Sequence, residues 1–338
     1  MNASDLSTVL VYGSIFAYTV AMIAFATDLF GLGSGRAAPA RKAAKIGMNT
    51  TWLAASLHLG GLIARAIAAG RLTWANMYEF TLMSTFIAVA IFLALNFVRD
   101  MRYLGSLITL VTVLGLGTAV SVLFVKADGV QPVLDSYWLI IHVSVATLST
   151  ALFYLGAAFA VLQLMQHAAE RKTVGTEPVG VTNRRTSART KAAGGADEAT
   201  HSGEVTSAID LLDKDEQTGG LKEPPSPFLR LMSSIPVAAK LEIWAYRIVG
   251  VGFVTWTFTV IAGAIWAEHA WGRPWGWDPK ETWSFVVWII YAAYLHARAT
   301  AGWTAEKFAY FLLIGFLALL ANFYLVNIFI PGKHSYAF

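Results

Sequence analysis

The sequence predicts an all-α polytopic membrane protein, a bundle of about eight transmembrane helices with a tryptophan-rich loop on its extracytoplasmic side. Three observations predict it. Of 338 residues, 56% are hydrophobic and only 14% charged. The apolar residues fall into runs of about 20 or more, the length a bilayer core requires of a helix. The runs recur between short charged connections, whereas a soluble core would show narrower amphipathic stripes.

The expected spans are approximately 9–30, 48–69, 78–98, 104–125, 137–165, 245–267, 282–299 and 307–330. The first, Val9 to Phe30, is long and is followed by basic residues rather than a cleavage site, so it reads as a retained span. Its connection to the second holds Arg36, Arg41, Lys42 and Lys45; the third connection holds Arg99 and Arg102, and the seventh Arg298 and Lys307. By the positive-inside rule these three face the cytoplasm, which puts both termini and the tryptophan loop outside.

A polar break divides the chain into an N-terminal membrane portion, 1–166, of about five spans, a linker, 167–240, and a C-terminal membrane portion, 241–338, carrying the loop 266–283. The linker begins basic, with Arg171, Lys172, Arg184 and Arg185, and turns acidic, with Asp210, Asp213, Asp215 and Glu216. With little apolar surface to offset its ordering entropy, it is expected to be a disordered cytoplasmic segment. Its last stretch, PFLRLMSSIPVAAKLEIWAYR, is more apolar and suits a short helix on the membrane surface. No internal repeat is visible.

Cysteine is absent, which excludes disulfides, Cys-ligated clusters and a thiol nucleophile within the chain. The net charge of +4 is spread over several loops and gives no support to nucleic-acid binding.

Residues 266–288 read WAEHAWGRPWGWDPKETWSFVVW and hold six of the twelve tryptophans. Trp271, Trp275 and Trp277 stand in a stretch broken by Gly272, Pro274 and Gly276. Aromatic belts at membrane interfaces are common, but a belt has no need of turn residues between its members. A turned loop of indoles builds a wall for a large planar apolar ligand such as a porphyrin. Asp278 opens D-P-K-E, which has the form of a helix start, so it is either a cap for the next span or a member of the site.

His142 and His334 share the outer side with that loop and are candidate axial ligands for a heme iron. His269, on the same side, competes for the role. His58 and His296 lie within apolar spans, where an ionisable group often marks function, although hydrogen bonding to a neighbouring helix would also explain His58. His167 and His201, in or beside the linker, receive no role.

The segment WGRPWGWDPKETW resembles the WWD signature of heme-handling membrane proteins, in particular the CcsA or ResC (system II) family of cytochrome c biogenesis proteins. WLIIHVSVATLS around His142, NMYEF around Glu79, AYRIVGVGF before the sixth span, YLHARAT around His296 and GKHSYAF around His334 are similar to that family in the same order. The linker has no counterpart in it.

The resemblance implies that His142 and His334 are the outer heme ligands, that His296 is a ligand nearer the cytoplasm, and that heme b is handled as a transient substrate. The second inner ligand is implied to come from a ResB/CcsB-type membrane partner, with His58 as the alternative within this chain. Arg273 and Lys280 are the candidates for pairing with the heme propionates. The implied function is presentation of heme for thioether formation with an apocytochrome c bearing Cys-x-x-Cys-His, a heme lyase activity exercised with that partner. Two other functions use the same features: a heme exporter without ligation chemistry, and an electron-transfer cytochrome with permanent hemes. A plain structural subunit leaves the broken tryptophan loop unexplained.

Overall fold

The computed structural model describes residues 2–35, 37–127, 136–174, 225–300 and 302–333. Among these residues every regular element is helical: α1 Ala3–Gly33, α2 Ala37–Ala69, α3 Met77–Val98, α4 Gly105–Ser121, α5 Tyr137–Val174, α6 Pro227–Ser233, α7 Ala238–Trp271, α8 Pro279–Thr300 and α9 Ala305–Leu320. A 3-10 turn, Arg102–Leu104, leads into α4, and α9 continues through a π-helical turn, Ala321–Val326, into a last turn, Asn327–Phe329.

Seven helices are long and apolar enough to cross a bilayer, in α1 to α5, α7 and α9 with its extension. The expected seventh span, 282–299, is helix α8, and it is not among them. Its 22 residues give about 33 Å at the α-helical rise, so length is not what it lacks. Lys280, Glu281, His296 and Arg298 dilute its apolar content. The bundle accommodates these charges by pairing: Arg298 Nε lies 2.8 Å from Glu242 on α7, and Lys280 Nζ donates to the Asn322 carbonyl at 2.9 Å.

The most extensive helix pairings are α1 with α2 and α5 with α7. Helices α3 and α9 both pack on α5, and α8 packs on α9 and α7. Small residues permit the close approaches, as expected where lipid supplies no hydrophobic drive between helices. Phe25 of α1 is buried between Gly47 and Gly105, where an added Cβ would lie 2.9 Å and 2.7 Å from its ring. A Cβ on Gly156 of α5 would lie 2.4 Å from Val249 Cγ2 on α7. On the outer side of α1, Val9, Phe16, Ile23 and Phe30 recur every seven residues and are exposed, forming a face for lipid.

The two ends of the bundle differ in chemistry. At one end Asp28, Arg41, Asp100 and Arg102 line a polar hollow closed by Ser233 and Ser234 beyond α6. Arg171 pairs with Glu306, and Glu170 accepts from the Ala238 N–H at 2.9 Å, at that same end. Arg41 of the first connection and Arg102 of the third are thus gathered together. The opposite end carries the starts of α5 and α8, the ends of α7 and α9, and the turn between α2 and α3.

Helix α5 runs on to Val174, and α6 begins at Pro227 with Ser226 accepting from Leu229 N at its start, so helix enters the expected linker from both sides. Helix α6 packs against the ends of α1 and α5. His201 and most of the linker lie outside the described residues, as does His334.

The α5–α7 contact makes a stability prediction. Gly156→Val overfills it and costs about 1–3 kcal/mol, read as a lower midpoint in thermal unfolding of the detergent-solubilised protein. Gly250→Val, at a position where a Cβ meets nothing within 4 Å, keeps the wild-type midpoint. Equal midpoints for the two variants would refute the close approach.

Candidate functional site

Helix α7 extends through Trp271 and stops where Gly272 takes a left-handed conformation (φ 68°), which glycine adopts without a Cβ clash. Trp271 is therefore a helical residue, not a loop residue as its neighbours suggested. The turn ends at Asp278, which caps α8 as D-P-K-E predicts. Asp278 Oδ2 accepts from Lys280 N at 3.2 Å, and Glu281 Oε2 accepts from Asp278 N at 3.1 Å and Gly276 N at 2.8 Å. The other carboxylate oxygen accepts from Lys333 N at 2.7 Å. One side chain thus caps α8 and ties down the segment after α9. Gly332 is needed there, since a Cβ on it would fall 2.7 Å from Asp278 Oδ1.

Beneath this turn lies a cleft open to the surface. Trp74 and Asn76 line it from the α2–α3 turn, Phe80 from α3, His142 from α5, and Asn322 and Phe323 from the π-helical turn. A recess adjoins it, walled by Trp271, Pro274 and Trp275. His142, Thr259, Trp266, Lys280 and Ser284 line both.

His142 is held on three sides by α7. Its Nδ1 lies 2.9 Å from the Thr259 carbonyl, and because a carbonyl only accepts, Nδ1 carries the proton. That tautomer leaves the lone pair on Nε2, the arrangement typical of a metal-ligating histidine. Gly263 gives the ring its space, as a Cβ there would lie 2.8 Å from His142 Cε1. Trp266 lies nearly parallel to the imidazole, 11° between planes and 6.4 Å between centroids, and Trp271 meets Trp266 edge-on at 4.9 Å. Thr259, Gly263 and Trp266 are spaced i, i+4, i+7 and so share one helix face.

The cleft is aromatic with a few polar positions. Lys280 Nζ, besides its bond to Asn322 O, lies 5.6 Å over the Phe323 ring. The buried Trp74 Nε1 and Asn322 Oδ1 have no hydrogen-bond partner among the described residues. An orphaned indole donor and a lysine beside an apolar cleft suit a planar apolar ligand bearing carboxylates. The turn that supplies Trp74 is pinned from below: Glu79, fully buried, accepts from Arg65 Nε at 3.0 Å, Arg71 Nη1 at 2.8 Å and Ala75 N at 2.9 Å. Asn76 caps α3 through Glu79 N at 2.9 Å.

The remaining sequence candidates scatter. Trp277, at φ 56°, is 70% exposed, meets Trp275 edge-on and lines neither space, so the wall is made by Trp266, Trp271 and Trp275. Arg273 folds back over Gly276, its Nη1 4.0 Å from Glu281, and also lines neither, which leaves Lys280 as the one of the two proposed basic residues that lines the cleft. His269 lies exposed on the last turn of α7, its Nδ1 2.8 Å from Ile265 O, away from the cleft. His58 is fully buried between Tyr18 and Phe86, ring centroids 6.0 and 5.5 Å away. His296 is exposed on α8. Helix α2 packs on α1, α3 and α4 while α8 packs on α7 and α9, so the structure does not bring His58 and His296 together. The residues that sequence reading missed are Thr259, Gly263 and Trp266, whose helical spacing was readable, and Trp74, Asn322 and Phe323, which no local pattern links to His142.

The sequence matches the family described as Cytochrome C assembly protein over residues 74–334. Among curated proteins, the cytochrome c biogenesis protein CcsA of Gloeothece citriformis is 34% identical over 289 residues, covering 83% of this chain and 84% of that protein. CcsA of Thermosynechococcus vestitus is 33% identical, covering 83% and 84%, and CcsA of Gloeobacter violaceus is 31% identical, covering 99% and 98%. Among solved structures, the cytochrome c heme lyase CcmF superposes with a TM-score of 0.60 at 13% identity, covering 96% of this chain. The chain spans 47% of that larger protein, and the likeness is one of fold.

The double use of Asp278 gives a test. Asp278→Ala removes a helix cap worth about 0.5–2 kcal/mol and releases the tail, so trypsin cuts after Lys333 faster than in the wild type. Asp278→Asn, which keeps both acceptor positions through its amide oxygen only in part, falls between. A cleavage rate in Asp278→Ala equal to wild type, followed by mass spectrometry, would show that the carboxylate does not anchor the tail.

Proposed function

The chain is a multi-pass membrane protein belonging to the cytochrome c assembly family, in its CcsA group, and from that membership we propose that it presents heme on the extracytoplasmic side for covalent attachment to apocytochrome c. The observation that carries this reading is the setting of His142: a tautomer set by the Thr259 carbonyl, a ring slot opened by Gly263, and a parallel indole from Trp266. A porphyrin placed with its iron at Nε2 has an aromatic wall beside it and Lys280 and Trp74 within the same cleft for its propionates.

His334 is the second outer ligand in this scheme. It follows directly on Lys333, whose backbone is tied to Asp278 and whose ammonium lies 5.4 Å over Trp271. Two imidazoles then saturate the iron and limit access of oxygen to it. The basic ends of the bundle face the cytoplasm, and the cleft faces outward.

His296 serves as a ligand nearer the cytoplasm. It stands on an exposed side of α8, where an imidazole facing lipid is costly, and this supports a ResB/CcsB-type partner that covers it and completes that site. His58, enclosed by Tyr18 and Phe86 on another part of the bundle, does not suit that role.

The attachment step needs no redox partner. Each thiol of Cys-x-x-Cys-His adds across one heme vinyl group: the sulfur bonds to the vinyl carbon next to the ring, and the thiol hydrogen ends on the terminal carbon. The histidine of the same motif replaces one holding imidazole. The chain contributes alignment, which converts a bimolecular encounter into an effectively unimolecular one. Its lack of cysteine keeps competing thiols away from the vinyl groups.

The full chain purified from membranes with its partner is expected to carry low-spin heme. His142→Ala and His334→Ala each weaken that spectrum and cytochrome c maturation, and added imidazole restores the spectrum. Gly263→Val, which leaves both histidines in place, acts like His142→Ala because its side chain enters the imidazole slot. Unaltered heme content and maturation in His142→Ala would overturn the ligand role.

A further inference from the structure

A second cavity, of about 420 Å³, lies against the His142 cleft, between α3, α4, α5 and the end of α9. The two share Phe80, Thr150, Leu319 and Phe323. Phe80 and Phe323 are stacked, 4.7 Å between centroids and 28° between planes, so this pair stands at the boundary of the two spaces. The cavity has no charged residue in its wall. Most of its hydroxyls are turned to backbone: Thr81 bonds Met77 O, Ser84 bonds Phe80 O, Thr85 bonds Thr81 O, Thr118 bonds Leu114 O and Tyr154 bonds Ile108 O. Such a space makes little polar demand on an occupant.

Among the described residues, the interior directly beneath the cleft is tightly packed. Phe153 and Tyr291, both fully buried, stack at 3.7 Å across α5 and α8. Gly252 packs against Phe153 and Gly315 against Tyr291, each with a prospective Cβ at 3.0 Å. On the flank, by contrast, α3 and α4 pack on α5 while α9 packs on α5, α7 and α8, leaving a wedge between α4 and α9 that is floored by α5. The π-helical turn Ala321–Val326 forms one side of this wedge and supplies Phe323 to both spaces, and π-helical turns recur at functional sites.

Resting on the function proposed above, we propose that this cavity is the membrane-side portal through which iron porphyrin reaches His142, with the Phe80–Phe323 pair as its gate. The apolar macrocycle enters edge-on from the bilayer, passes the parted phenyl rings and meets His142 and Lys280 in the cleft. The apolar wall of the cavity and its continuity with the cleft suit the same flat ligand in both.

Two variants narrow the portal from facing walls without touching the cleft: Thr118→Trp from α4 and Leu320→Trp from α9. In the full chain purified from membranes at equal yield, each is expected to lower co-purified heme severalfold, while hemin added to the purified protein gives the wild-type low-spin spectrum. Wild-type heme content in both tryptophan variants overturns the portal, including the outcome in which only bound phospholipid falls, which would make the cavity an acyl-chain site. Loss of the hemin-induced spectrum in both variants also overturns it, by placing their effect in the cleft. If the wild type itself shows no His142-dependent heme spectrum, the proposed function has failed first. Either tryptophan variant that accumulates suffices for the comparison.

Discussion

The close approach of α5 and α7 is the constraint on which the site depends. Gly156 lies against Val249 and Gly252 against Phe153, so the two helix axes are held together along much of their length. Near the end of that contact His142 meets the face formed by Thr259, Gly263 and Trp266. A helix pair that splayed by even a methyl group's width would lose the hydrogen bond that sets the imidazole tautomer. Packing in the middle of the bundle thereby sets the geometry of the imidazole at its end.

Around this pair the structure places polar groups where each is answered by another element. Asp278 caps α8 and holds Lys333; Glu79 holds two arginines and the turn bearing Trp74; Lys280 is bonded to the last part of α9. A buried carboxylate that binds several donors from different segments fixes those segments relative to one another, because leaving any donor unpaired in a low-dielectric interior is costly. The chain's few charged residues within the bundle are concentrated at such junctions. The surroundings of the cleft are consequently rigid, and its aromatic wall is held by elements that are themselves pinned.

Much of the fold was legible in the chain. Apolar runs of membrane length marked seven helices directly, and α8 was recognisable as a helix from its D-P-K-E start despite its polar residues. Arg41 and Arg102, from the first and third connections, line one hollow at the end of the bundle opposite the cleft walled by Trp266 and Trp271. The tryptophan stretch pointed to the site, and His142 was separable from His58 by its position at the start of a span.

What the sequence by itself determined was composition by depth: which segments cross the membrane, which end carries aromatic residues, and where a turn must break the helix, since these follow from local hydropathy and from glycine and proline. Only the tertiary structure decided which indoles face the cleft and which face out. Trp277 and Arg273 sit within the signature yet turn away from the cleft, whereas Trp266, Trp74 and Phe323 enter it from outside that signature. It also separated His58 from His296 by giving them helices that pack on different neighbours. The physical reason is that helix rotation and neighbour choice are set by long-range packing of small residues and by shared buried carboxylates, and neither leaves a mark in any local stretch of sequence.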